Sequence, residues 1–259
     1  MSSTLAGSSA ARAWTPESQI FLVRQAVKVA PKDLRRQLLK HMDEVEKGVL
    51  APFKDGDPAY HQRNETDGQL HLVLQREVER TVAAIRAHKP FKDIAHQVGV
   101  VAHYVAQANN PLNTSNRDAS EKYYYADFRD YLESTEDRLE VVFYGLDRQF
   151  ETDRRLGGES GYIERTVERS RDLYDTIGKE YRRINKLPGR RYFDDRSSAF
   201  GTAALMHSRA VTTTAQILRY LWIEAGGGDW RPTPHDDEGR IFLIPKDEPQ
   251  TGGRGRSPR

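Results

Sequence analysis

Phe91 to Ser115 reads FKDIAHQVGVVAHYVAQANNPLNTS. Residues Phe91 to Ala108 form a deeply apolar run with helical spacing. Asn109-Asn110-Pro111 stops it, because a proline donates no backbone hydrogen bond and disfavours helix in the residue before it. Three polar residues on this helix, His96, His103 and Gln107, stand seven and four residues apart and share one face. His103 and Gln107 are an i,i+4 pair, a spacing that suits either one metal ion or a hydrogen-bonded helix interface. Glutamine is neutral and hard, a poor zinc ligand, so for this pair alone the interface reading is preferred.

The same periodicity extends in both directions. Ile20, Val23, Ala26 and Val27 give one apolar face. Leu34, Leu38, Leu39, Met42, Val45 and Val49 give a second, predicted to begin after Pro31 and end around Gly48. Residues 50–68 carry Pro52, Gly56, Pro58 and Gly68 and read as a long irregular loop. Leu70 to about His88 is amphipathic. Glu121 to Phe150 reads as helix with a break at Gly145, and Tyr162 to Asn185 as one charged amphipathic helix. Asp194 to Ala225 is the longest segment, about 48 Å at ~1.5 Å per residue, closed by Gly226-Gly227-Gly228. Arg240 to Pro245 is strand-like but too short to found a sheet. There is no internal repeat and no heptad run of coiled-coil length. The fold class is all-α. The expected layout is an N-terminal segment 1–13, one helical domain over 14–228, an irregular extension over 229–248 and a disordered tail over 249–259.

Composition excludes several functions. The chain has 259 residues, 40 Lys+Arg against 38 Asp+Glu, and no cysteine. The formal charge of +2 removes the simplest electrostatic case for a nucleic-acid partner. Without cysteine there are no disulfides, Cys-ligated zinc, iron–sulfur clusters or thiol nucleophiles. No stretch reaches the roughly 18–20 apolar residues of a membrane span. The phosphate loops GxGxxG and GxxxxGK[ST], the HExxH zinc helix and the GxSxG elbow are all missing. At the N-terminus, Ala11-Arg12-Ala13 has the A-x-A form that precedes signal-peptidase cleavage and would expose Trp14, although no apolar h-region stands before it.

Val101 to Ser115 resembles the central motif of the zinc-dependent phospholipase C and S1/P1 nuclease superfamily, HYxGDxxQPxH. His103, Tyr104 and Pro111 fall at matching places. Further segments are similar to the family in the right order: QIFLVRQAV over Gln19–Val27, HQRNETDG over His61–Gly68, Tyr123–Phe128, and SRAVTTTAQILRYLW over Ser208–Trp222. The resemblance implies a compact, nearly all-helical domain. It also implies a site where three zinc ions hydrolyse phosphodiesters and activate water as the nucleophile. A secreted or periplasmic setting goes with the family, although this sequence shows no complete signal peptide.

Carried over position by position, the family's N-terminal Trp ligand falls on Trp14, its loop His on His61 and its central His on His103. Its first-helix His falls on Gln19 and its bridging Asp on Gln107. The His after the Pro turn falls on Asn113, and the paired His and Glu of the next helix fall on Tyr123 and Asp127. An Asp in the loop after the first helix has Asp55 as its only candidate. Three zinc ions would bring six positive charges into a partly buried cleft, and here an amide replaces the bridging carboxylate. The expectation is therefore zero or one zinc rather than three. The first reading is a non-catalytic, binding or structural relative of the family, its cleft either self-satisfied or holding a small polar ligand. The second is a phosphodiesterase using one or two metals, with Asp55 or Asp127 assisting His61 and His103. A third, outside the family, is a helical interaction module built on the 162–185 and 194–225 helices. The oligomeric state is left open.

Overall fold

A computed structural model describes residues 13–54, 57–228 and 241–246. The expected N-terminal segment, apart from Ala13, and the C-terminal tail lie outside these residues. So does the 229–248 extension apart from 241–246.

The first helix, α1 (Pro16–Lys28), starts where Thr15 Oγ1 accepts from the Ser18 amide at 3.2 Å, with Pro16 in the first turn. Then come α2 (Lys32–Lys40), α3 (Met42–Leu50), 3₁₀ turns at Ala51–Lys54 and Pro58–His61, α4 (Leu70–Arg86) and α5 (Phe91–Ala108). The bounds of α5 are those read from the sequence, because Pro90 and the Asn-Asn-Pro stop punctuate both ends. Asn110 caps the short α6 (Pro111–Thr114), its side chain accepting from the Leu112 amide at 3.0 Å. The chain continues through α7 (Glu121–Ser134), β1 (Val142–Phe143), α8 (Arg148–Asp153), α9 (Tyr162–Arg171) and α10 (Tyr174–Ile184). After a 3₁₀ turn at Gly189–Tyr192 come α11 (Ser198–Glu224) and β2 (Phe242–Leu243).

Three expected helices are broken. The 34–49 face turns at His41, which lets α3 lie along α5. The 121–150 segment ends at Ser134. There the Ser134 and Thr135 hydroxyls donate to the Tyr131 and Leu132 carbonyls, both at 2.8 Å, and compete with the helical ladder. The 162–185 segment turns at Asp172-Leu173: α9 packs on α4, α5 and α6, whereas α10 packs on α11. The buried spacing Ile163, Val167, Ser170, Tyr174, Ile177, Tyr181 runs through that turn unbroken, so periodicity alone hides it. The strand-like run does pair: β2 lies antiparallel to β1, with Val142 opposite Leu243 and Phe143 opposite Phe242. The expected irregular loop contains two 3₁₀ turns.

The 27-residue α11, about 40 Å long, joins two apolar clusters. Its Ile217, Leu218 and Leu221 belong to a cluster with apolar residues of α3, α4 and α5. Its Ala203, Met206, Ala210 and Val211 belong to a cluster with apolar residues of α1, α7 and α10. No helix among the described residues is long and apolar enough to cross a membrane.

The tightest contact is the crossing of α3 and α5. A methyl group on Gly48 would run into the His96 carbonyl, and one on Gly99 into the Val45 carbonyl. Both glycines are needed for close backbone approach, not for a turn. Gly99→Ala is expected to cost about 2–3 kcal/mol by overpacking. Thermal denaturation followed by circular dichroism should show a midpoint lower by roughly 5–10 °C; an unchanged midpoint would mean the crossing has slack.

Candidate functional site

The α3–α5 crossing sets the Val49 carbonyl against the second half of α5. That oxygen accepts from His103 Nδ1 at 2.9 Å. A carbonyl can only accept, so His103 carries its proton on Nδ1 and presents Nε2 as an acceptor. One turn on, Gln107 Nε2 donates to His103 Nε2 at 3.3 Å. Past the Pro111 turn, Asn113 Nδ2 donates to Gln107 Oε1 in a short bond. From α7, the Tyr125 hydroxyl donates to Asn113 Oδ1 at 3.4 Å. The result is a one-way chain of neutral groups, Tyr125 to Asn113 to Gln107 to His103 to the Val49 carbonyl. Burial raises the Tyr125 phenol well above its ordinary pKa, which keeps it a donor.

His61 joins from its 3₁₀ turn, with Nδ1 3.3 Å from His103 Nε2. Its ring stacks on Tyr104 at 5.6 Å, and Phe53 meets His103 edge-on at 5.0 Å. His61, His103, Gln107 and Asn113 are each at most 4% exposed.

The other expected site residues are spread around this chain. Trp14 is buried, and its indole Nε1 donates to the Ala106 carbonyl at 2.8 Å, beside Gln107. Asn110 Nδ2 donates to the Ala13 carbonyl at 2.8 Å, so residue 13 is packed into the core with Trp14. Gln19 is buried on α1, and neither atom of its amide has a hydrogen-bond partner among the described residues. Asp55 lies outside the described residues. Tyr123 points to solvent, 66% exposed, beneath the Lys122 ammonium. Asp127 Oδ2 accepts from the Tyr181 hydroxyl at 2.7 Å and the Arg190 amide at 2.9 Å. The Arg190 guanidinium stands 3.6 Å from its Oδ1. The structure therefore brings together His61, His103, Gln107 and Asn113, with Trp14 alongside, and does not bring Tyr123 or Asp127 to them. His96, two turns back along α5, stays half-buried outside the chain.

Two members escaped the sequence reading of the ligand set. Tyr125, not Tyr123, is the α7 residue that reaches Asn113; the burial of Tyr124, Tyr125 and Phe128 fixes that register. The Val49 carbonyl is a backbone atom with no sequence signature at all.

This helical scaffold can be compared with known structures. The alpha toxin of Clostridium absonum superposes with a TM-score of 0.56 at 14% identity, covering 80% of this chain and 66% of the toxin. The Clostridium perfringens alpha-toxin from avian strain SWCP gives 0.50 at 14% identity, covering 85% and 66%. The chain has the alpha-toxin fold. The all-α fold implied by the sequence resemblance is the fold observed. The chain spans about two thirds of the toxins' length. No protein-family model and no curated protein matches this sequence. An identity this low carries architecture, and the chemistry rests on this chain's own residues.

Those residues do not fit a trinuclear zinc centre. The position that the resemblance assigns to the bridging Asp holds an amide bonded on both sides, and Asp127 is held by Tyr181 and Arg190. Among the described residues no three His, Cys, Asp or Glu side chains converge on one point.

Gln107→Leu should lower stability by about 2–3 kcal/mol in urea unfolding, because His103 loses a donor and Asn113 an acceptor. Combined with Asn113→Ala, the loss should be less than the sum, since both changes break one chain. A second test concerns Glu121, one turn before Tyr125. Burial, reinforced by the nearby Asp118 carboxylate, lifts its pKa to about 7 against the Tyr174 hydroxyl bond. A carboxyl raised in the folded state binds more protons there than in the unfolded chain. Its contribution is present below about pH 4.5 and lost as pH rises through 7. Glu121→Gln should flatten the fall in melting midpoint between pH 5 and pH 8, by about 1 kcal/mol once solvent screening is allowed for.

Proposed function

We propose that this protein is a phospholipase C-fold relative that does not hydrolyse phosphodiesters through a trinuclear metal centre and acts instead in a binding or structural role. The observation that carries this reading is the one-way hydrogen-bond chain from Tyr125 to the Val49 carbonyl. It uses the acceptor that His103 would offer a metal. A carboxylate at position 107 could not donate to His103, so Gln107 is matched to its neighbours rather than a damaged ligand. The chain is closed from solvent, and it is neutral, which avoids the cost of a buried uncompensated charge.

One observation favours a second reading, a mononuclear site. His61 Nδ1 and Gln107 Nε2 each lie 3.3 Å from His103 Nε2. Two nitrogen ligands on a tetrahedral zinc at ~2.05 Å also lie about 3.3 Å apart. The two atoms of the Gln107 amide are interchangeable by a side-chain flip, which would turn its oxygen toward the imidazoles. The Val49 carbonyl would then be the outer partner that orients a ligating histidine.

Elemental analysis of the zinc-supplied protein, paired with hydrolysis of a chromogenic phosphodiester, separates these readings. The expected result is no stoichiometric zinc, and the same background hydrolysis in wild type and His103→Ala. One zinc, lost in both His61→Ala and His103→Ala, would establish the second reading. About three zincs, with hydrolysis abolished by His103→Ala, would overturn both.

A further inference from the structure

A second polar site is built on different elements. A cavity of about 300 Å³ opens between α9, α11 and the segment from Tyr144 to Asp147. Arg169 of α9 and Arg209 of α11 both line it. Arg209 is half-buried, and its Nη1 donates to the Arg169 carbonyl at 2.7 Å, which fixes its guanidinium beside the Arg169 residue. Arg169 Nη2 makes a long contact to Thr166 Oγ1, 3.4 Å, and its guanidinium also lies against the buried Tyr162 hydroxyl. Neither arginine makes an ion pair among the described residues.

The one carboxylate in the wall is already engaged. Asp147 Oδ1 caps α8 by accepting from the Phe150 amide at 2.9 Å. The Arg165 guanidinium, one turn before Arg169, stands 3.6 Å from the same oxygen. Outside the wall, the Asp172 carboxylate at the end of α9 also acts on Arg209, but it offsets the burial and the neighbouring Arg169 only in part. Burial, and then the neighbouring Arg169, hold the Arg209 guanidinium below its ordinary arginine pKa. Two like charges held together in a partly desolvated site are unfavourable unless an anion joins them. The rest of the lining suits a ligand that is more than an ion: Tyr144 at the rim, Leu146 and Leu205 as apolar wall, and the Thr212 hydroxyl, which accepts from the Tyr144 amide at 3.0 Å.

We infer that this cavity binds a phosphate monoester, its phosphoryl group bridged by Arg169 and Arg209 and its organic part against Tyr144, Leu146 and Leu205. The planar guanidinium fork matches phosphate oxygens in pairs, and the volume admits a phosphoryl group with a small substituent. The same chemistry is offered by a soluble phosphate ester and by a phosphatidic acid headgroup. The site is independent of the His103 chain and of the reading given to it.

The probe is inorganic phosphate, titrated calorimetrically into the full chain at constant ionic strength. Saturable binding with a Kd of roughly 1 mM is expected, weakened about tenfold in both Arg169→Gln and Arg209→Gln. Arg169 is exposed, so its variant should fold and keep the test decisive if Arg209→Gln does not. Sedimentation with phosphatidic acid vesicles then separates the sources. Arginine-dependent co-sedimentation supports the site and assigns the lipid headgroup; binding of phosphate without co-sedimentation supports it and assigns a soluble ester. No saturable phosphate binding, or equal affinity in wild type and Arg169→Gln, overturns the inference.

Discussion

The backbone contact between Gly48 of α3 and Gly99 of α5 is the constraint from which the polar core follows. Without side chains at the crossing, the two helices approach until each glycine lies against a carbonyl of the other helix. Val49 is next to Gly48, and His103 is one turn beyond Gly99. The approach that seats the glycines therefore also aims the Val49 carbonyl at His103 Nδ1. That single bond selects the tautomer. Once His103 Nε2 is an acceptor, Gln107 must turn its NH₂ toward it and its oxygen toward Asn113. Asn113 must then offer its own NH₂ to Gln107 and its oxygen to Tyr125. Each amide orientation follows from the one before, so a steric fact about two glycines propagates into the hydrogen-bond polarity of four side chains.

The consequence for function is one of charge. In a site of this architecture a cluster of divalent ions would need carboxylates close to the imidazoles. Here Asp127, which the sequence resemblance puts at the place of a paired ligand, instead ties α7 to Tyr181 and to the Arg190 turn. This is a structural task at the rim of the second apolar cluster. Tyr125 takes the inward position on α7, and a buried phenol is a donor, not a metal base. Among the described residues this polar core is thus neutral, and its groups act on one another.

What the sequence made legible follows from where the signal lies. The limits of α5 could be read because Pro90 and Asn109-Asn110-Pro111 act through covalent geometry, which no tertiary contact overrides. His103 with Gln107, and Asn113 after the turn, could be paired because the spacing is local. The turns at His41 and at Asp172-Leu173 were hidden, because the apolar period continues across both and the redirection comes from which neighbour each half packs against. Gly48 reads as a helix stop in sequence but serves as a packing contact, and the helix runs on to Leu50. The register of α7 was hidden for a related reason. Tyr123, Tyr124 and Tyr125 are chemically alike, and only the three-dimensional partner distinguishes the one at Asn113 from the one in solvent.

The same reasoning explains why a net charge of +2 says so little about this molecule. Among the described residues most surface arginines stand opposite a carboxylate, as Arg182 does at Asp118, Arg183 at Glu180 and Arg190 at Asp130. A sum over the chain cancels these pairs and also cancels the exceptions. Arg169 and Arg209 are exceptions, brought together by the turn at Asp172 that ends α9 and by the course of α11 beside it. Their separation of forty residues leaves no local pattern in the sequence. The fold therefore places concentrated positive charge between α9 and α11 while it keeps the His103 chain neutral. Recognition of an anion is a property of that arrangement, not of composition.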